Sequence, residues 1–276
     1  MHSKLFPIRM GKSPHLEHDN IYLIMEPVLR IANISKSFGG TVAVSELSLE
    51  LAPGKLFGFI GPNGAGKTTT IKMIAGLLHP DTGEVFVAGH NVVTHPQQAK
   101  QSIGYIPDNP YIYDRLTGRE FLELVGSLYD MEKDCITERI ERLLNIFGID
   151  SWGDDLAAEY SHGMRQKIIM ASAIMHDPKL VVIDEPMVGL DPQSQRLVKG
   201  ILQKLTERGT TVFMSTHTLS VAEELCNRIG IIHHGKLMKI GTLDELRSEA
   251  QMEGHSLEEL FIKLTGGEKE IELWEK

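Results

Sequence analysis

The sequence has no apolar run long enough to cross a membrane. Its longest uninterrupted apolar stretches, such as residues 21–25, contain only about five residues, whereas a membrane-spanning helix needs about 20. Cysteine is also scarce, because the chain has only Cys135 and Cys226, far apart. They exclude a disulfide framework and are typical of a reducing compartment. The N-terminus lacks the apolar core of a secretory signal, so we expect a soluble, cytoplasmic protein.

Positive charge is in the minority, with 28 Lys and Arg against 37 Asp and Glu and a net charge of −9. Proteins that bind the nucleic-acid backbone carry basic surfaces, so no nucleic-acid partner is expected. Residues 244–276 contain ten acidic and four basic side chains. They also contain two short amphipathic segments, joined by residues 252–256. We therefore predict a C-terminal helical tail that packs its apolar side on the core and exposes its acidic side.

The chain changes character along its length. Residues 1–24 have no hydrophobic periodicity, and we interpret them as a disordered leader, an expression remnant or a start assigned too far upstream. From Met25, short β-type runs alternate with helical stretches, which is typical of a parallel sheet with helices on both faces. Residues of about 107–177 show helical patterns only. They predict an all-helical insert within the α/β unit.

Turn-forming and helix-capping residues, together with the hydrophobic periodicity of each segment, predict the individual elements. The predicted strands are residues 28–34, 48–51, 56–60, 85–87, 180–183, 211–214, 228–232 and 237–240. The predicted helices are residues 67–78, 193–207 and 219–226, together with three that begin at Thr117, Asp134 and Ser161. Thr117 and Glu120 have the spacing of a capping box, in which each closes the first turn for the other.

A glycine-rich motif follows the predicted strand 56–60 and opens the next helix. It matches the P-loop pattern G-x-x-x-x-G-K-[ST], and its residues, with the threonine that follows, are Gly61, Pro62, Asn63, Gly64, Ala65, Gly66, Lys67, Thr68 and Thr69. The glycines let successive N–H groups face one anion at the positive end of a helix. Lys67 would reach the β- and γ-phosphates, and the Thr68 hydroxyl would bind Mg²⁺. The motif predicts nucleoside triphosphate binding; a plain glycine-rich turn is the alternative.

Two carboxylates, Asp184 and Glu185, follow the predicted strand 180–183. Ligands of parallel sheets collect at the carboxyl ends of strands, so Asp184 is placed to hold Mg²⁺. Glu185 is placed to polarise a water for attack on the γ-phosphate. The alternative is that both residues only cap the next helix.

These motifs together, over about residues 28–243, resemble the ATP-binding subunit of an ABC transporter. The octamer Tyr160-Ser161-His162-Gly163-Met164-Arg165-Gln166-Lys167 lies just before Asp184 and corresponds to the Leu-Ser-Gly-Gly-Gln signature of that family. Ser161 and Gly163 are kept, whereas three other signature positions differ. A helix capped by Ser161 can still present its N–H groups to a phosphate.

The resemblance implies an α/β fold, with a P-loop NTPase core, a mostly parallel sheet, an N-terminal antiparallel β subdomain and an all-helical insert. It assigns an ABC ATPase domain to residues 25–243, with its helical subdomain at about 107–177. It also implies ATP and Mg²⁺ as cofactors and a head-to-tail dimer. In that dimer Ser161 and Gly163 would face the γ-phosphate held by the partner's P-loop.

Three further site residues follow from the resemblance. Phe38 occupies the position where the family stacks an aromatic ring on adenine, and Asp191 resembles part of the loop that crosses the dimer interface. His217 resembles the histidine that contacts the γ-phosphate and orients Glu185. Each has a plain structural alternative, as a core aromatic, a turn residue or a histidine at a strand end. Lys67, Glu185 and His217 would be the catalytic residues.

Asp108 departs from the family pattern, which usually has Gln, and sometimes Glu, after Tyr-x-Pro. Aspartate is shorter than glutamine and carries a charge. It is still a hard oxygen donor and could coordinate Mg²⁺ through a water. Asn109 is a second candidate for the same role.

The resemblance implies an energy-coupling ATPase, peripheral on the cytoplasmic face of the membrane, that serves a permease on a separate chain. The Tyr-Ser-x-Gly-Met-Arg-Gln form of the signature resembles bacterial exporters of antibiotics, lipids or ions and therefore favours export. Tyr111 and Tyr113, in the helical insert, are candidate permease contacts. The dimer could be a homodimer or a heterodimer. The alternatives are a soluble ABC ATPase acting on nucleic acid or the ribosome, and an inactive nucleotide-sensing subunit.

Overall fold

Short hydrophobic runs and amphipathic stretches alternate along the chain. The computed structural model describes residues 26–266. Within these residues the chain forms two sheets and nine helices. The strands are β1 (Leu29–Phe38), β2 (Thr41–Leu51), β3 (Leu56–Ile60), β4 (Thr82–Val87), β5 (His90–Asn91), β6 (Ile103–Ile106), β7 (Leu180–Asp184), β8 (Thr211–Thr216), β9 (Arg228–His233) and β10 (Lys236–Gly241). The helices are α1 (Lys67–Ile74), α2 (Pro96–Gln101), α3 (Gly118–Leu128), α4 (Lys133–Phe147), α5 (His162–Ile174), α6 (Pro192–Glu207), α7 (Leu219–Leu225), α8 (Leu243–Glu249) and α9 (Leu257–Thr265).

The larger sheet has the strand order β10-β9-β3-β8-β7-β6. Strands β9, β3, β8, β7 and β6 are parallel, and only the edge strand β10 is antiparallel. The carboxyl ends of the parallel strands therefore lie along one edge of the sheet. The loops that follow β3, β6, β7 and β8 meet at that edge, which confirms the mostly parallel sheet predicted from the sequence.

Side chains alternate between the two faces of this sheet because successive residues of a strand point to opposite sides. Leu56, Val181, Val212 and Met214 belong to one core cluster, shared with α3–α7. Phe57, Phe59, Val182 and Phe213 belong to a second cluster, shared with α1 and the smaller sheet. The central strands read as continuous apolar runs because both of their faces are covered.

The smaller sheet has the strand order β2-β1-β4-β5 and is antiparallel throughout. It confirms the N-terminal antiparallel β unit. Its inward residues, including Leu29, Ile31 and Val85, pack against Ile71 and Ile74 of α1. The helix that opens at the glycine-rich motif is thus held between the two sheets.

Between β6 and β7 the chain forms only helices and two short 3₁₀ turns, Asp150–Trp152 and Ala157–Glu159. Thr117 and Glu120 form the predicted capping box at the start of α3. Ser161 caps α5 by accepting a hydrogen bond from the Met164 N–H at 3.3 Å. These observations confirm the all-helical insert and two of its three predicted starts; the helix predicted from Asp134 begins one residue earlier, at Lys133.

The two amphipathic segments of the tail form α8 and α9, and helix extends there to Thr265. Their buried leucines, Leu246, Leu257 and Leu260, pack with Ala222 of α7 and Ile229 of β9. The predicted leader (residues 1–24) and residues 267–276 lie outside the described residues. Within 26–266, no helix combines the length and apolar character that crossing a bilayer requires.

Several elements differ from those predicted. Helix α1 ends at Ile74, four residues early, because Gly76 adopts a left-handed conformation with φ of 64° and reverses the chain. Strand β2 begins at Thr41 instead of residue 48, and a left-handed residue at Glu46 (φ 49°) interrupts its alternating pattern. Helix α2 and strand β6 were not predicted, since each is too short to show a period in the sequence.

Candidate functional site

The glycine-rich loop joins the buried strand β3 to helix α1, as its motif predicts. At two positions of the loop only glycine fits, because a side chain there would clash with neighbouring atoms. A Cβ on Gly61 would clash with the carbonyl oxygen of Ile232, and one on Gly66 would clash with that of Ala43. Gly66 also has a φ of 106°, which side chains disfavour. The loop therefore passes close to its neighbours, and the N–H groups at the start of α1 are available to an anion.

Lys67, the first residue of α1, is buried, and its ammonium turns back across the loop. The Nζ donates hydrogen bonds to the carbonyl oxygens of Gly61 at 2.7 Å and Pro62 at 3.2 Å. Burial lowers the pKa of Lys67, and the nearby carboxylates of Glu185 and Asp184 partly oppose that shift. An ammonium held by neutral carbonyls can exchange them for phosphate oxygens, with which it makes stronger, charge-assisted hydrogen bonds.

Asp184 ends strand β7 and is almost completely buried, with 3% of its surface exposed. The Oγ of Ser215 donates a hydrogen bond to its Oδ1. The two residues are direct partners in the parallel pairing of β7 and β8. Ser215 is a direct contact of a predicted site residue that the motifs did not single out. Only the strand register could have revealed it, because the motifs treat each segment separately.

Glu185 follows Asp184 with a left-handed backbone, at a φ of 52°. Its Oε1 lies 2.9 Å from the Nδ1 of His217, and its Oε2 accepts a hydrogen bond from the His217 N–H at 3.3 Å. The structure therefore brings together Glu185 and His217, which lie 32 positions apart in the sequence. A carboxylate fixed to an imidazole at the end of parallel strands can orient a water and accept its proton.

These side chains line one cleft of about 400 Å³ at the carboxyl edge of the sheet. The residues around it are Ala43, Asn63, Gly64, Gly66, Lys67, Thr68, Thr69, Asp108, Asp184, Glu185, Val188 and His217. Gly61, Pro62 and Ala65 shape the loop without lining the cleft. Ala43 and Val188, which the sequence analysis did not single out, supply apolar wall.

Three oxygen-bearing side chains in the cleft, Thr68, Asp108 and Asp184, have the chemistry that Mg²⁺ prefers. Asp108 thus reaches the cleft despite its short side chain. Burial, and then the charges of Asp184 and Asp108, raise the pKa of the adjacent Tyr105. Within residues 26–266 no group of three or more His, Cys, Asp and Glu is arranged to hold a metal alone. The hydroxyl and carboxylate oxygens of Thr68, Asp108 and Asp184 fit Mg²⁺, which prefers oxygen ligands.

The other predicted site residues do not line the cleft of their own chain. Ser161 and Gly163 lie at the start of α5, and Asp191 caps α6, where its Oδ1 accepts from the N–H groups of Gln193 and Ser194 at 2.9 and 3.0 Å. Phe38 lies at the β1–β2 turn and is 49% exposed. These four residues are available to act from the surface.

Comparison with known families and proteins gives a consistent result. A family model described as "ABC transporter" matches residues 44–188. The chain is 38% identical over 221 residues to the linearmycin resistance ATP-binding protein LnrL of Bacillus subtilis, which covers 80% of this chain and 71% of that protein. It is 38% identical over 220 residues to the daunorubicin/doxorubicin resistance ATP-binding protein DrrA of Streptomyces peucetius, covering 80% and 67%.

The fold is also found among solved structures. A structure described as the ATP binding subunit of an ABC transporter superposes with a TM-score of 0.82 at 32% sequence identity. The match covers 86% of this chain and 99% of that one. The similarity therefore extends over both sheets and the helical insert, and includes the cleft.

Proposed function

Because this chain belongs to the ABC transporter family and is an ATP-hydrolysing, ATP-binding subunit of that family, we propose that it drives export through a separate membrane permease. In this proposal it works as a head-to-tail dimer on the cytoplasmic face of the membrane. The observation that supports the hydrolytic step of the proposal is the contact of Glu185 with His217 in the P-loop cleft; export is supported separately below.

Different residues of the cleft have different roles in ATP hydrolysis. The N–H groups of the loop and the Lys67 ammonium bind the phosphates and neutralise charge that develops on them. Glu185 orients the attacking water and accepts its proton, and His217 holds the Glu185 carboxylate in place. Thr68 and Asp184 would hold Mg²⁺, with Asp108 as a further ligand. When bound, Mg²⁺ would supply positive charge that offsets the negative charge of the phosphates.

A dimer supplies what the cleft of one chain lacks. Ser161 and Gly163 lie outside the cleft, at the exposed N-terminus of α5, where the helix dipole favours an anion. In a head-to-tail pair this terminus would face the γ-phosphate bound by the partner. ATP would then hold the two chains together, and hydrolysis would release them. Phe38 and Asp191 would act at the adenine and at the dimer interface, respectively.

Export is supported by the relatives and by the signature. The two relatives above are named for resistance to linearmycin and to daunorubicin and doxorubicin. The form Tyr-Ser-x-Gly-Met-Arg-Gln at residues 160–166 points in the same direction. The substrate would be recognised by the permease, so its identity is not encoded in this chain.

The helical insert offers a surface for the permease. Tyr111 is 72% exposed and Tyr113 is 54% exposed, and their rings meet edge to face at 5.8 Å. Ile112 between them is fully buried and anchors the pair. Exposed aromatic pairs are typical of protein interfaces.

The test is to compare the wild type with Glu185→Gln and Lys67→Ala. We expect Glu185→Gln to bind ATP and dimerise with it, and to lose about 100-fold or more in kcat, because the base is gone. Lys67→Ala should lose ATP binding and the ATP-dependent dimer together. The measurements are phosphate release and size-exclusion chromatography with and without ATP. Full activity in Glu185→Gln would contradict the proposed role, and wild-type recovery with polysomes instead of membranes would favour action on the ribosome.

A further inference from the structure

Helix α5 lies directly against the segment that follows the catalytic Glu185. The Nε2 of Gln166 donates a buried hydrogen bond to the carbonyl oxygen of Pro186 at 2.9 Å. One turn earlier the ring of His162 approaches Gly189 so closely that a Cβ built there would lie 3.0 Å from two of its atoms. The first turns of α5, which Ser161 caps, therefore contact both ends of residues 186–189.

Gln166 places a polar amide at a buried position. Only 2% of its surface is exposed, and its Oε1 has no hydrogen-bond partner among the described residues. A buried amide with one unsatisfied oxygen costs free energy, whereas methionine has similar volume and no such cost. Packing alone therefore does not explain an amide at position 166. The contact that distinguishes the amide from an apolar side chain is its hydrogen bond to the Pro186 carbonyl oxygen.

That hydrogen bond fixes the backbone next to Glu185. Glu185 has a left-handed φ of 52°, which a residue with a side chain keeps only when its surroundings impose it. On one side, the Glu185 N–H donates to the Ser215 carbonyl oxygen at 3.2 Å. On the other side, Pro186 has no N–H, so its carbonyl oxygen is the backbone group left to anchor. Gln166 provides that anchor.

We propose that Gln166 is a positioning residue, which holds the Pro186 carbonyl and thereby keeps the Glu185 carboxylate facing His217 and the cleft. The inference rests on the proposed function, in which Glu185 is the base. Because Ser161 starts the same helix, it also gives a route between the two sites of a dimer. Contact of Ser161 with the partner's ATP would act, through α5 and Gln166, on the Glu185 that serves this chain's own ATP.

The experiment compares Gln166→Met and Gln166→Glu with a matched control, Ser172→Ala. The methionine variant keeps the volume and removes the donor. Ser172 is buried on the same helix, and its hydroxyl donates to the Ile169 carbonyl oxygen of that helix at 2.8 Å. Each variant is measured for kcat, for KM, for ATP-dependent dimerisation and for thermal unfolding, using the full chain.

We expect Gln166→Met to lower kcat about 10- to 100-fold, because a small displacement of a catalytic group is enough for that loss. Its KM and its ATP-dependent dimer should stay within about twofold of the wild type, since no group that binds ATP has changed. Ser172→Ala should retain the wild-type kcat. A purely structural role for Gln166 would instead lower thermal stability and leave kcat unchanged.

Gln166→Glu supplies a second readout that does not depend on how the methionine variant folds. A carboxylate cannot donate to the Pro186 carbonyl, but a protonated carboxyl can. Burial raises the pKa of a carboxyl at this position, because only 2% of the surface of Gln166 is exposed. The ratio of its kcat to the wild-type kcat should therefore rise about fivefold or more as the pH falls from about 8 to 6.

Two results would overturn the inference, namely a wild-type kcat in the methionine variant or a pH-independent ratio in the glutamate variant. Each of these results overturns the inference only when the wild type, measured in parallel, hydrolyses ATP. A wild type without ATPase activity would refute the proposed function, and the two failures are thus distinguishable.

Discussion

At the scale of single residues, the site depends on polar side chains that are held by partners from other segments. Ser215 fixes Asp184, and His217 fixes Glu185. Lys67 is held by two carbonyls of its own loop. Such pairing places a donor or an acceptor before the ligand arrives, which lowers the cost of binding and of catalysis.

Removing the hydroxyl of Ser215 should weaken both stability and metal-dependent binding. Ser215→Ala leaves the buried Asp184 carboxylate without its hydroxyl donor, which costs about 1–3 kcal/mol. We expect a lower free energy of unfolding in urea and a several-fold weaker affinity for ATP in the presence of Mg²⁺. Equilibrium unfolding and a nucleotide-binding titration measure the two effects.

Thr211→Val is the control for Ser215→Ala. Thr211 lies at the other end of β8, where its hydroxyl donates to the Ala52 carbonyl oxygen at 3.2 Å and accepts from the Gly54 N–H at 3.1 Å. It should lose stability while keeping the wild-type affinity for Mg²⁺ and ATP. Equal affinity in Ser215→Ala would show that Ser215 serves the fold only.

At the scale of elements, local chemistry decides where helices begin and end, and a few side chains join one element to another. Capping boxes start α3, α8 and α9, and Gly76 follows the end of α1. His176 is a joining residue. Its ring stacks on Tyr129 at 3.6 Å, just beyond α3, and its Nε2 lies 3.1 Å from the Ile103 carbonyl oxygen of β6.

The stability of this junction should depend on pH. Burial lowers the pKa of His176 to about 4, although the Ile103 hydrogen bond and Asp177 partly oppose the shift. The folded protein therefore keeps the ring neutral, while an unfolded chain takes up a proton below about 6.5. The contribution of the neutral His176 ring to the free energy of unfolding is therefore complete above about pH 6.5. It is lost as the pH falls toward 4, by at most about 1.4 kcal/mol per pH unit. Urea unfolding at several pH values measures the slope.

His176→Gln separates this contribution from other titrations. Glutamine keeps an N–H donor for the Ile103 carbonyl and does not titrate. Its unfolding free energy should depend less steeply on pH than that of the wild type between about 6.5 and 4. Parallel slopes for the two proteins would rule out His176 as the source.

At the scale of the whole molecule, the parallel sheet gathers segments that are distant in sequence. The loops after β3, β6, β7 and β8 supply the lining of one cleft. The N-terminus of helix α5 does not line this cleft, and in the proposed dimer one chain would therefore carry parts of two different sites. The exposed pair Tyr111 and Tyr113 stands on a third surface, at the start of the helical insert.

Replacing both exposed tyrosines should separate hydrolysis from coupling. In Tyr111→Ala combined with Tyr113→Ala, we expect the isolated subunit to keep its kcat within about twofold, since neither ring lines the cleft. Co-purification with the permease should fall strongly, because buried aromatic residues dominate interface energetics. Leu128→Ala is the control, since Leu128 is also 73% exposed. An intact complex in the double variant would place the docking surface elsewhere.

The sequence by itself determined most of the elements and the positions of the candidate site residues along the chain. The P-loop, Asp184 and Glu185 were identified from local spacing, because each motif lies within one segment. Ser161 and His217 were identified because the short motifs that contain them resemble those of a known family. The apolar runs predicted a mostly parallel sheet, and the helical patterns of residues 107–177 predicted the insert. The amphipathic pattern of the tail predicted α8 and α9, since the 3.6-residue period is a local property.

Only the tertiary structure decided which residues act together. The register of β7 against β8 pairs Asp184 with Ser215, and the packing of α5 on residues 186–189 joins Gln166 to Pro186. It also decided that Asp108 reaches the cleft and that Ser161 does not. Long-range contacts such as these depend on strand order and packing, which the period of a single segment does not encode. Strand β6 shows the same limit, because four residues carry too little pattern and only pairing with β7 defines them as a strand.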